Sequence, residues 1–166
     1  TMAGVGRGIN RALRNDTKSV KFVNDSIDRI AELNRIRNKS KSKVFRESIK
    51  IEIDELTSNL KNHVENSRAL KNYLTDEQKS NMLDLLNQKD NIETKKNELL
   101  KELNENKLSK KDYGYALRSL NNQSKKISES LSNIKQEALK AEVNRQTKQI
   151  EDEMLPDGFF DNRNAS

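Results

Sequence analysis

The sequence predicts an all-α protein: long amphipathic helices forming an antiparallel helical hairpin or coiled-coil bundle, elongated, with a flexible basic N-terminal arm. Three observations carry this. Of 166 residues, 32% are hydrophobic and 35% charged, which is a thin apolar supply for a compact α/β core. Five Gly and one Pro are too few for a loop-rich β-sandwich. Apolar residues recur at spacings of three and four, and over long stretches at sevens. Zero Cys and a single His exclude a disulfide framework, thiol catalysis and a His-based metal centre. No stretch approaches the about 18 apolar residues of a transmembrane helix.

The chain divides into a flexible Gly/Arg-rich lead-in (1–15), a basic helix and turn (16–43), a helical coiled-coil segment (44–154) and a C-terminal linker (155–166). The lead-in, with Gly4, Gly6 and Gly8, opposes helix by about 1 kcal/mol per Gly. The first helix carries Val20, Val23, Ile27, Ile30, Leu33 and Ile36 on one face and frays over 37–43. In the second, Ile49, Leu56, His63 and Leu70 lie seven apart, as do Ile53, Leu60, Ser67 and Leu74, where it is expected to stop. Thr75-Asp76-Glu77-Gln78 has the form of a capping box, so a third helix starts near 76. It carries Leu85, Ile92 and Leu99, but Lys89 and Lys96 interrupt the companion row, which predicts thinner packing. Asn104-Glu105-Asn106-Lys107 breaks it, and Ser109-Lys110-Lys111-Asp112 is a weaker start signal.

The fourth helix, about 110 to 153, has rows Tyr113, Leu120, Ile127, Ile134, Ala141 and Leu117, Ser124, Leu131, Ala138. Its length of roughly 65 Å requires a partner surface. Short connections favour antiparallel neighbours, hence a three-helix arrangement with a basic arm; a nearly continuous rod packing on other copies fits equally. The expected packing seam is Ile49, Ile53, Leu56, Leu60, Leu117, Leu120, Ile127, Leu131 and Ile134.

Charge is unevenly spread. The net is +6, but residues 1–46 hold 12 Lys+Arg against 4 Asp+Glu, a net of +8, and residues 47–166 a net of −2. Arg35, Arg37, Lys39, Lys41, Lys43 and Arg46 have no acid among them and are the candidate contacts for phosphate or another anion. No aromatic interleaving or DNA-reading motif accompanies them. Gly4, Gly6 and Gly8 do not fit a phosphate-loop pattern. His63 at a seam position reads as a register-setting polar residue. The carboxylate groups Asp54/Glu55, Asp76/Glu77 and Glu151/Asp152/Glu153 fall on solvated faces or helix starts. No catalytic residue, cofactor or metal is assigned.

The Asn-, Lys-, Ser- and Ile-rich helical style resembles that of internal virion proteins of tailed bacteriophages, the large cargo or ejection proteins packaged in the capsid. The features are the stretch Gly4-Val5-Gly6-Arg7-Gly8, the turn Leu103-Asn104-Glu105-Asn106-Lys107-Leu108-Ser109 and the exit Leu155-Pro156-Asp157-Gly158. The resemblance implies a piece of a longer chain, consistent with Thr preceding Met2, and a virion location with a role in assembly or genome delivery. No signal peptide is recognisable. The functional expectation is a non-enzymatic structural or assembly module packing on other copies or a larger assembly through its helical faces. The alternative is non-specific nucleic-acid contact, or contact with an acidic protein surface, through the basic third.

Overall fold

The computed structural model describes the backbone of residues 2–154 and the side chains of 17–153. The chain is 90% helical, with no strand among the described residues. The described residues form four helices, α1 (Met2–Lys39), α2 (Lys43–Asn66), α3 (Asp76–Asn104) and α4 (Lys110–Met154), with a short 3-10 turn at Arg68–Leu70.

Local chemistry explains the breaks. At the end of α1 the Ser40 N–H donates to the carbonyls of Ile36 (3.1 Å) and Arg37 (3.3 Å), and Ser42 then caps α2 by accepting from the Phe45 N–H. The Thr75 capping box is complete: the Gln78 N–H donates to the Thr75 hydroxyl and the Thr75 N–H to the Gln78 side-chain oxygen, both at 3.0 Å. Thr75→Ala removes half of it and is expected to cost about 1 kcal/mol in urea unfolding. Asn106 sits at φ 61, a left-handed position Asn tolerates, while the Lys107 N–H closes the end of α3 on the Glu102 carbonyl. Ser109 caps α4 through the Asp112 N–H at 3.1 Å.

Three expectations change. The second helix ends at Asn66 rather than Leu74, because Ser67 turns extended (ψ 116) while its N–H still bonds the His63 carbonyl. Leu70, Tyr73 and Leu74 are nevertheless buried, delivered by the 3-10 turn and the bend after it. The backbone of α1 is helical from Met2, where composition predicts a flexible lead-in. Extending a helix that already exists costs far less than starting one, which offsets the Gly penalty. The side chains of that stretch, with Arg7, Arg11 and Arg14, and the expected linker 155–166 lie outside the described residues. Finally, the basic helix is no separate arm: Val23, Ile27 and Ile30 join the main core and Leu33 the second one.

Each helix packs on two others: α1 on α2 and α4, α3 on α2 and α4. Cross-helix pairs show that neighbours run antiparallel. Arg29 meets Glu52 while Ser19 meets Ser67; Lys50 meets Asn97 while Lys61 meets Asp90. Leu85 shares a hollow with Ile127 and Ser130, and Leu99 one with Ala116 and Leu120. The main core holds Val23, Ile27, Ile30, Leu60, Met82, Leu86, Leu120, Ile127 and Leu131; the second, near the α1–α2 turn, holds Leu33, Ile49 and Ile53. Leu56, Leu117 and Ile134 are half-buried.

Candidate functional site

Beside the second core the apolar pattern gives way to charge. Asn34 and Arg37 follow Leu33 on α1, Asp54 and Thr57 follow Ile53 on α2, and Lys89, Glu93 and Lys96 line one face of α3. Spacings of four and three stack those α3 side chains, so Glu93 lies between two lysines. Glu93 accepts two bonds from Arg37, Nη2 to Oε1 at 2.8 Å and Nη1 to Oε2 at 3.2 Å, across 56 residues of sequence. This fork-on-carboxylate geometry is the strong form of the ion pair. The Lys96 ammonium lies 3.6 Å from the same carboxylate, and Asn34 accepts weakly from Arg37 at 3.5 Å.

Lys89 is the exception within the cluster. It is only 1% exposed, and its ammonium has no hydrogen-bond partner. Burial, helped by the nearby Arg37 charge and opposed by Glu93, pulls it down to about 8. Lys96 is likewise pulled down to about 8, by burial first and then Arg37. Burial alone would raise the Glu93 carboxyl; the Arg37 hydrogen bonds and the three surrounding cations outweigh it and hold it below the ordinary carboxylate range. Asp54 is pushed up, by partial burial and then by Glu93. The interior thus holds three cations around one fully paired carboxylate. Such a cluster penalises any slip of α1 along α3, because a shift would strand buried charge.

The candidate anion contacts separate into two groups. Arg37 points inward and is committed to Glu93. Arg35, Lys39, Lys41, Lys43 and Arg46 are exposed and make no ion pair with a described residue. His63 is half-buried against Phe22, ring centroids 4.8 Å apart, with its Nε2 unbonded. No group of three or more His, Cys, Asp or Glu suited to a metal occurs among the described residues. Among the described residues, no helix is long and apolar enough to cross a membrane.

The buried cluster had a trace in sequence. Two lysines seven apart on an apolar row, with Glu93 between them, mark charge on a packing face rather than a thin seam. Its partner Arg37 had none, because nothing local links positions 37 and 93. No known protein family, curated protein or solved structure matches this chain.

Proposed function

We propose that this chain is a non-enzymatic structural or assembly module that works by packing its helical faces onto other copies or onto a larger protein. One observation carries this reading. Beyond Ala138, the last fully buried residue of α4, the helix continues to Met154 with Val143 59% and Ile150 55% exposed. These two residues are seven apart, hence on one face of α4, where Arg145 pairs with Glu142 and Gln149 donates to Glu153. A pair of exposed apolar side chains at this spacing suits another helix, although the α4 rows that pack in the bundle end there in Arg145 and Lys148. The setting we propose, a larger virion-associated phage protein, is supported by the sequence style alone. Light scattering over a concentration series tests the packing. Association is expected for the wild type and loss of it for Ile150→Glu; a wild type that stays monomeric throughout would refute the reading.

A second reading is favoured by the five exposed cations of 35–46, which make no ion pair with a described residue: this end of the bundle contacts a polyanion, nucleic acid being the simplest.

A further inference from the structure

The most exposed large apolar side chain among the described residues lies inside a strongly basic segment. Val44 is 83% exposed and Phe45 49%, between Lys43 and Arg46. All of residues 41–48 are exposed. Ile51, seven beyond Val44, continues the same face of α2 and is exposed as well. Around them stand Arg35, Lys39, Lys41, Lys43 and Arg46, with Glu47 the one acid within 41–48. The α3–α4 turn lies at the same end, since Lys50 meets Asn97; there Lys107 pairs with Glu105, and Lys110 and Lys111 face solvent beside Asp112.

We propose that this end of the bundle docks onto an anionic lipid bilayer, the cations meeting lipid headgroups while Val44 and Phe45 enter the interfacial layer. The inference rests on the polyanion reading of this segment and names the anion. Phosphates along a nucleic acid reward the cations only, whereas a bilayer surface rewards cations and apolar side chains together. Shape points the same way. Eight consecutive exposed residues make a convex tip, and the hollows between helices at 22–32, 56–79, 85–102 and 116–130 lie apart from it. A fluid bilayer conforms to such a tip, whereas the hollows that could seat a partner helix lie elsewhere on the bundle.

The test uses the full chain with vesicles of phosphatidylcholine alone and of phosphatidylcholine mixed with phosphatidylserine, and separately with a double-stranded DNA fragment. Sedimentation is expected with the anionic vesicles only, weakening as salt rises. Lys39→Gln/Lys41→Gln/Lys43→Gln should lower partitioning about 100-fold, at roughly fivefold per cation. Val44→Ser/Phe45→Ser leaves the charge unchanged and should lower it about tenfold. The protein has no Trp, so Phe45→Trp gives a single reporter, whose emission should shift to the blue on anionic vesicles. Circular dichroism of each variant checks that the helices persist; both serine sites are exposed and carry little packing. Partitioning unchanged in the serine variant, or no blue shift, would overturn the lipid proposal. DNA retained with vesicles ignored would overturn it too while leaving the polyanion reading standing. Failure to bind either would remove both.

Discussion

Glu93→Gln is expected to destabilise the protein by about 3–5 kcal/mol, far more than loss of an ordinary ion pair. The substitution keeps the size of the side chain and one hydrogen-bonding oxygen but removes the only negative charge fully inside the cluster. Arg37, Lys89 and Lys96 then remain as three cations in a nearly water-free environment, each desolvated and repelling the others. The reciprocal change is milder. Arg37→Met is expected to cost about 1–2 kcal/mol, because Glu93 keeps Lys96 at 3.6 Å and Lys89 one turn away, and the Met fills the guanidinium's stem space. Urea midpoints of the two variants measure the asymmetry. Equal losses would mean that the Arg37–Glu93 pair acts alone and the lysines do not feel it. Acid should echo the effect. The Glu93 carboxyl is held below its ordinary 4.5, so its contribution is complete above that value and is lost as pH falls through the lower folded-state value.

Lys89→Met is expected to stabilise the protein, by about 2 kcal/mol, or roughly 4–8 °C in thermal midpoint. The ammonium is sealed in without a hydrogen-bond partner, while the stem packs as an apolar chain that Met reproduces. The pH dependence follows from the same burial. With Lys89 at about 8 when folded and 10.5 when unfolded, the unfolded chain holds a proton between those values that the folded chain has released. Stability therefore rises with pH from about 8 toward 10.5, and the cost is fully present below about 8. Lys96 adds a similar rise. Tyr73, raised above 10.0 by burial, acts oppositely beyond pH 10, so the clean window is 8 to 10. Thermal unfolding of wild type and Lys89→Met across that window should show a steeper rise for the wild type. A less stable Met variant would show that the ammonium contributes attraction exceeding its desolvation.

If the charged interior is a register device, its effect on stability and its effect on alignment point in opposite directions. A core with Met at 89 is more stable but discriminates less against a sliding α3. Natural chains retain buried charge in some bundles for that reason. Here Lys89 lies one heptad from both Met82 and Lys96, and a purely apolar row there would leave α3 with several near-equivalent registers against α1 and α2.

What the sequence determined alone was everything that depends on near neighbours along the chain. Spacings of three, four and seven made the chain all-α. Hydroxyls at Ser42, Thr75 and Ser109, each bonding an N–H three residues on, set where three helices begin. Asn106 set where α3 ends. The basic bias of residues 1–46 was legible by counting, and so was the amphipathic face of α1. Tertiary structure alone decided the rest. It made α1 a full member of the bundle, because Val23, Ile27 and Ile30 gain more by joining the main core than an arm would in water. It ended α2 at Asn66, because the bend after Ser67 swings Leu70 and Leu74 into that core. It removed Arg37 from the solvent-facing cations by pairing it with Glu93. Periodicity is a property of single helices, whereas the choice of partner for a buried charge depends on which faces meet, and that is fixed only when all four helices pack at once.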